Sequence, residues 1–188
     1  MALALFAWLT VVLHGPRSHR QGSSLNSAAP KSPRIVGQCV FCQAFTSNRG
    51  AFDIVWEDAD FLAFRDHQPA CLHHIQLIPK FHISSVRNLT SRDVDMIRRM
   101  ESIGNDILDK YKVPQTHRKM GFHIPPFNTV QHLHLHVQAL PYTSFVVQFK
   151  YPVARGFGAL NKGFSWFVEV AQTIRILDKG STVGVLPC

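Results

Sequence analysis

The stretch Gln131-His132-Leu133-His134-Leu135-His136-Val137 constrains this chain more than any other. Strict alternation of histidine with aliphatic residues is the period of a β-strand whose two faces meet different surroundings. Leu133, Leu135 and Val137 therefore belong to a core face, and His132, His134 and His136 project together from the opposite face. At about 3.3 Å per residue, neighbouring imidazoles of the row stand on Cα atoms roughly 6.5–7 Å apart. The chain has 11 histidines in 188 residues. At that frequency ~0.04 such rows arise by accident, before any requirement on the residues between them. Two chemistries use a row of this kind. One is metal ligation, where His-x-His on a strand offers two neutral nitrogens to Zn²⁺. The other is covalent catalysis, where one imidazole attacks phosphorus while its neighbours orient it and hold the phosphate oxygens. The spacing alone leaves both open.

From Cys39 onward the chain reads as one domain. With 46% hydrophobic residues, 14 Phe and 3 Trp, it can repay the entropy of ordering, which excludes a disordered polymer. The longest near-apolar run, residues 2–13, is shorter than the ~20 residues of a membrane-spanning helix, which excludes a polytopic membrane protein. The formal net charge is +8, and residues 1–38 contribute +4 of it through Arg17, Arg20, Lys31 and Arg34 with no acid. The other +4 suits an anionic ligand without pointing to nucleic acid. Residues 1–38 read as a disordered leader or a targeting segment. No Lys or Arg precedes the apolar run and no A-x-A site follows it, which speaks against a secretory signal; the Arg and Ser content without acid suits an organelle presequence. The expected location is cytoplasmic or nuclear, or an organelle if the leader directs it there. The four cysteines do not form a disulfide framework. Cys39 and Cys42 make one C-x-x-C, and Cys71 and Cys188 stand apart, a pattern of reduced compartments in which the pair serves a metal or redox role.

A short helix is expected over residues 39–45. Strands are expected over 54–57 and 61–65 (a hairpin around Asp58 and Asp60), over 74–78, over 119–124 and over 132–140. Thr90 and Ser91 are N-cap candidates for a helix over 92–112. Its Val94, Ile97, Met100, Ile103, Ile107, Leu108 and Tyr111 recur at helical spacing, and Pro114 stops it. A further helix is expected over 164–177. This order gives an α+β fold, an antiparallel sheet of about five strands with one long inserted helix. It comprises a domain over 39–140 and a C-terminal extension over 141–188.

His-Leu-His-Leu-His-Val resembles the His-φ-His-φ-His-φ-φ signature of the histidine triad (HIT) superfamily of nucleotide hydrolases and transferases. The resemblance extends over Cys39-Val40-Phe41-Cys42, Phe64-Arg65-Asp66, the block His74-Ile75-Gln76-Leu77-Ile78-Pro79-Lys80-Phe81-His82-Ile83, and Met120-Gly121-Phe122-His123-Ile124-Pro125-Pro126-Phe127. It is nearest to the Hint-like branch, with features of the aprataxin-like group. The resemblance implies that His134 is the nucleophile attacking the α-phosphorus of a nucleoside 5′-phosphoryl substrate, giving a nucleotidyl-histidine that water hydrolyses. Imidazole suits the task because it is partly neutral at pH 7 and leaves again once protonated. It further implies that His136 contacts the phosphate, that His132 and His74 support the nucleophile, and that Asp66 accepts bonds from the ribose hydroxyls. Asn128 and Thr129 stand where the family places phosphate and leaving-group contacts.

His67 and Gln76 stand where related Hint proteins carry aliphatic residues against the nucleoside, and His123 where the simpler ones carry Asn. The implied activity is hydrolysis of purine nucleoside 5′-phosphoramidates by a homodimer, with no metal needed for the chemistry. Cys39, Cys42, His82 and His132 form an S₂N₂ set suited to a structural zinc, the alternative being two thiols packed as small hydrophobes. Removal of AMP from 5′-adenylated DNA, the aprataxin-like activity, ranks second. Arg98, Arg99, Arg118 and Lys119 are the candidate basic patch, but beyond Leu140 only Cys188 is available toward the zinc finger of that group. A nucleotide-binding regulatory module with incidental turnover ranks third.

Overall fold

The hairpin expected around Asp58 and Asp60 forms because the Asp58 carboxylate accepts from the backbone N–H groups of both Asp60 and Phe61, turning the chain between two β-prone runs. The computed structural model describes residues 38–188, so the leader expected over 1–38 lies outside the described residues except for its last position. In chain order the elements are α1 (Val40–Gln43), β1 (Ile54–Glu57), β2 (Phe61–Arg65), β3 (His74–Pro79), α2 (Val94–Lys110), β4 (Arg118–His123), β5 (Leu135–Ala139), α3 (Phe145–Gln148), β6 (Phe167–Glu169) and α4 (Val170–Asp178). The sheet is antiparallel throughout, in the order β1-β2-β3-β5-β4-β6.

Thr90 starts the long helix as expected. Its hydroxyl accepts from the Arg92 N–H while the Asp93 carboxylate accepts from the Thr90 N–H, a reciprocal capping box that opens a 3₁₀ turn leading into α2. The apolar stripe of α2, with Ile97, Met100, Ile103, Ile107 and Leu108 all buried, packs on the face of the sheet that carries Leu77, Leu135 and Val137. The stripe is thus absorbed within the chain. At the centre of this contact lies Gly104; a Cβ there would stand 2.6 Å from Met120 Sδ and 3.1 Å from a Val137 methyl, so the missing side chain lets the helix approach the sheet closely.

The structure corrects three expectations. The sheet has six strands where about five are expected, because residues 167–169 pair with β4. Of the helix expected over 164–177, residues 167–169 are therefore strand, and α4 begins at Val170. The aromatic and β-branched run Trp166-Phe167-Val168 prefers a pleated surface, and Glu169 then caps α4 through a second capping box. The strand expected over 132–140 pairs only from Leu135; before it, the Leu133 N–H donates to the Ile83 carbonyl, outside any ladder.

The added strand bears on the far face of the sheet. In register, Gly121 of β4 lies between His136 of β5 and Glu169 of β6. A Cβ on Gly121 would meet the Val168 carbonyl oxygen and stand 2.5 Å from the Phe167 ring. Only the bare backbone at this point lets Phe167 fold down beside the histidines. Gly121→Ala is expected to destabilise the protein by about 1–3 kcal/mol through this overpacking, read as a lowered midpoint in urea unfolding; an unchanged midpoint contradicts the close approach.

Candidate active site

Leu133, Leu135 and Val137 are buried against α2, and His132, His134 and His136 lie together on the opposite face, as the alternation predicts. That face is covered. His132, His134 and His136 are 1%, 6% and 4% exposed, so the row is a buried polar cluster whose members need partners. Phe41 from α1 packs edge-on against His132 and His134. Tyr151 and Phe167, both from the C-terminal extension, pack against His136.

Each imidazole has a distinct set of hydrogen bonds. His134 Nδ1 lies 2.6 Å from the carbonyl oxygen of His132, which can only accept, so the ring proton sits on Nδ1. Nε2 then carries the lone pair, on the edge away from that bond. His132 Nε2–H donates to the Pro79 carbonyl (2.9 Å), which turns its Nδ1 lone pair toward the cysteines. His74 Nδ1 accepts from the Ala70 N–H (3.1 Å), and His74 Nε2 lies 2.9 Å from His136 Nδ1. His136 Nε2 in turn lies 3.0 Å from His123 Nδ1. Both ring nitrogens of His136 are therefore engaged by other imidazoles.

Burial holds the cluster uncharged. It pushes His74, His132 and His134 down to about 4 and His136 well below its ordinary value, with neighbouring imidazoles adding to the shift for each. A neutral imidazole at pH 7 has a lone pair available without prior deprotonation.

Two cavities meet at Asp66, His67, Gln76 and Thr129. One, of about 570 Å³, is walled by Phe41, Phe52, Phe64 and Val130, an apolar slot of the size a nucleoside base requires. The other, of about 280 Å³, is bounded by His123, His136 and residues of the extension, with Phe127 and Trp166 stacked at 5.4 Å. Asp66 stands at the junction. Its Oδ1 accepts from the Gln68 N–H and its Oδ2 from Gln76 Nε2, at 2.8 and 2.7 Å, so the Gln76 that departs from the aliphatic pattern orients this carboxylate. His67 lies at the rim with its side chain 85% exposed and Nδ1 3.7 Å from Asp66 Oδ1. Asn128 Nδ2 donates to the Val130 carbonyl, while its Oδ1 is buried without a hydrogen-bond partner beside a void of about 10 Å³ that His134 also borders. A buried acceptor of this kind calls for a donor, from water or ligand.

On the other side of His132, the C-x-x-C converges with His82. His132 Nδ1 lies 3.4 Å from Cys39 Sγ and 3.6 Å from Cys42 Sγ, and His82 Nδ1 lies 3.5 Å from Cys42 Sγ. Zinc bonds of about 2.3 Å to sulfur and 2.0–2.1 Å to nitrogen place tetrahedral S and N ligands ~3.5 Å apart. All four donor atoms lie within 4.8 Å of one another. The residues fit such an ion, and the Pro79 carbonyl supplies the outer contact that fixes the His132 tautomer. Asp66, His74 and His136 also converge, but the Ala70 N–H occupies His74 Nδ1, so the proton sits on the Nε2 that a metal would need.

The residues of the candidate basic patch are engaged elsewhere. Arg98 pairs with Asp178, Arg99 with Asp58 and Asp60, and Arg118 with Asp109 and with backbone carbonyls, while Lys119 Nζ donates to the Tyr151 carbonyl. Sequence reasoning left unread the extension's contribution, Lys150, Tyr151, Trp166 and Phe167, and the three-phenylalanine wall. Its one signal was the cluster of aromatic residues at 164–167, a strand-forming run.

Comparison with known proteins places this geometry. Residues 38–150 match the family described as scavenger mRNA decapping enzyme C-terminal binding, over more than half of the chain. A zebrafish (Danio rerio) relative named adenosine 5′-monophosphoramidase HINT3 is 37% identical over 146 residues, 77% of this chain and 84% of its own. The chain belongs to the histidine triad superfamily. Within it, an Arabidopsis thaliana relative named bifunctional adenosine 5′-phosphosulfate phosphorylase/adenylylsulfatase HINT4 is 43% identical over 106 residues, covering 55% of this chain and 71% of that protein. A solved histidine triad protein from Clostridium difficile superposes with a TM-score of 0.51 at 27% identity, covering 58% of this chain and 98% of that one. Aprataxin of Ciona intestinalis is more distant, 26% identical over 94 residues, 49% of this chain and 25% of its own. The superfamily match accounts for the Hint-like character of the triad and leaves the aprataxin likeness secondary.

The buried neutral histidines bear on stability. His74 and His134 take up protons at about 4 when folded and near 6.5 when unfolded, so the unfolded chain binds more protons between those values. Their contribution is complete above pH 6.5 and is lost as the pH falls toward 4, on the order of 3 kcal/mol for His134 and in the same direction for His74. Chemical denaturation across this range is expected to show stability dropping by several kcal/mol; a flat profile means that the imidazoles are not held neutral.

Proposed function

We propose that this chain hydrolyses purine nucleoside 5′-phosphoramidates, and related adenylyl conjugates, through a covalent nucleotidyl-His134 intermediate. The observation that carries the reading is the bond from His134 Nδ1–H to the His132 carbonyl. It turns a neutral Nε2 lone pair away from the backbone, which is the condition for imidazole to attack phosphorus. The relatives named as an adenosine 5′-monophosphoramidase and an adenylylsulfatase support an adenylyl group as the transferred part.

In this reading the base lies between Phe41, Phe52 and Phe64, and Asp66, oriented by Gln76 and the Gln68 N–H, receives the ribose hydroxyls. The α-phosphoryl group lies against His134 and His136, and the leaving amine faces the smaller cavity. Nε2 of His134 bonds to phosphorus as the P–N bond breaks, and the departing nitrogen takes a proton from solvent, to which the water of the second step returns one. Water then attacks the phosphorus, the P–Nε2 bond breaks, and AMP leaves with His134 neutral again. Asn128 Oδ1, buried without a partner, is suited to accept from a leaving-group N–H or from that water. The engagement of Arg98, Arg99, Arg118 and Lys119 within the chain favours small conjugates over a DNA backbone.

Mass spectrometry of protein quenched during turnover of adenosine 5′-phosphoramidate is expected to find AMP on His134. His134→Ala is expected to lose at least ~10³-fold in kcat with the fold retained. Turnover by that variant at the parent rate removes the nucleophile assignment.

The same reading includes a zinc ion held by Cys39, Cys42, His82 and His132, tying α1 and the segment after β3 to the start of the triad, and pairing of two copies into a homodimer. The metal would act structurally, fixing His132 and hence the carbonyl that orients His134, and no step of the reaction uses it. Native mass spectrometry is expected to show twice the 21.2 kDa chain mass with one zinc per chain, and Cys39→Ser is expected to lose the metal. A metal-free wild-type protein overturns the zinc assignment, and a single-chain mass the pairing.

A further inference from the structure

The bonds around His136 do not end at the triad. His123, on β4, lies edge-on to it with Nδ1 3.0 Å from His136 Nε2, and His123 Nε2 reaches the Lys150 carbonyl at 2.8 Å. Two main-chain groups therefore terminate a run of three imidazoles. At one end the Ala70 N–H can only donate, to His74 Nδ1; at the other the Lys150 carbonyl can only accept, from His123 Nε2. For neutral rings one arrangement satisfies the bonds between the imidazoles and to the main chain: His74 Nε2–H donates to His136 Nδ1, His136 Nε2–H donates to His123 Nδ1, and His123 Nε2–H donates to Lys150, while the Gln138 amide, 3.4 Å from His74 Nε2, must then turn its oxygen toward that N–H. Because neither backbone group exchanges a proton, the run cannot conduct protons from end to end. It fixes direction instead.

Lys150 belongs to the C-terminal extension, and that segment is well seated. The Tyr151 ring packs within 5.1–5.8 Å of the His74, His123 and His136 rings, and the neighbouring Tyr151 carbonyl accepts from Lys119 Nζ. The carbonyl that orients His123 is thus positioned by a part of the chain that carries no motif of its own.

We infer that His123 is a positioning residue: by accepting from His136 and donating to the Lys150 carbonyl, it holds His136 in the Nε2–H tautomer beside the nucleophile. His136 then enters the reaction as a donor, ready to pass its N–H from His123 to a phosphoryl oxygen where negative charge develops. The extension's role is to make that tautomer the single one populated. The catalytic half of this inference rests on the phosphoramidase reading; the tautomer half does not.

The test uses the full chain labelled with ¹⁵N at histidine. Long-range ¹H–¹⁵N spectra at neutral pH are expected to show His74, His123 and His136 each protonated at Nε2 alone. In His123→Leu the His136 signals are expected to move toward tautomer averaging. His123→Asn places an amide oxygen near the former Nδ1, so it keeps the acceptor and is expected to keep the His136 tautomer. With adenosine 5′-phosphoramidate, His123→Leu is expected to lose at least about tenfold in kcat with KM within about threefold, and His123→Asn to retain kcat within about threefold of wild type. His136 protonated at Nδ1 in the wild type, or unmoved in His123→Leu, overturns the inference, as does an equal kcat loss in the Asn and Leu variants. Should His123→Leu fail to fold, the wild-type spectra and the Asn variant still decide. If the wild type itself turns nothing over, the phosphoramidase reading falls, and the spectra alone judge the tautomer.

Discussion

Burying a row of imidazoles is the costly part of this fold, and most of what surrounds the row offsets that cost. A ring nitrogen taken from water without a partner is penalised by one to several kcal/mol. Here His74, His132, His134 and His136 are all nearly inaccessible, and each is bonded to another imidazole or to a main-chain group. Neutral imidazole can serve as donor on one nitrogen and acceptor on the other, so the rings join into a network with defined directions. The same burial that makes the bonds necessary keeps the rings uncharged, and uncharged rings are what the proposed chemistry uses.

The two faces of β5 divide the labour. Leu135 and Val137 lock the strand onto α2, with Gly104 and the small volume between helix and sheet allowing close approach, so the strand cannot slip without moving its entire apolar set into the polar face. That locking fixes the histidine face within the reach of hydrogen bonds. Gly121 on the neighbouring strand does the complementary work by leaving room for Phe167. The site is thus assembled by long-range packing from α1, β3, β4, β5 and the extension, and the two cavities meet where Asp66 is held between Gln68 and Gln76.

Much of this was legible beforehand. The alternation at 131–137 identifies the strand, its two faces and their division into core and chemistry, because side-chain period is a local property. The stripe of α2, its Thr90 cap and the β1–β2 hairpin are legible for the same reason. The convergence of Cys39, Cys42, His82 and His132 was carried by resemblance, since nothing local brings residues 39 and 132 together. The sixth strand was hidden because Trp166-Phe167-Val168 runs directly into a helical pattern, and an edge strand of three residues leaves a weak signal beside nine residues of helix. The paired state of Arg98, Arg99 and Arg118 was equally invisible, each partner lying at a distance in sequence.

What the residues alone determined is the identity of the reactive groups and the faces they occupy: three histidines on one side of an extended segment, of which only His136 lies in the paired strand, aliphatic residues on the other, and a helix to cover the latter. Periodicity and capping act over a few residues, and no tertiary contact is needed to read them. Only the tertiary structure decided which nitrogen of each ring holds its proton. That choice depends on single carbonyl and N–H groups from Ala70, Pro79, His132 and Lys150, and every backbone unit carries the same two groups whatever its side chain. Sequence distinguishes side chains; only folding selects which of the many identical peptide groups stands beside a given imidazole.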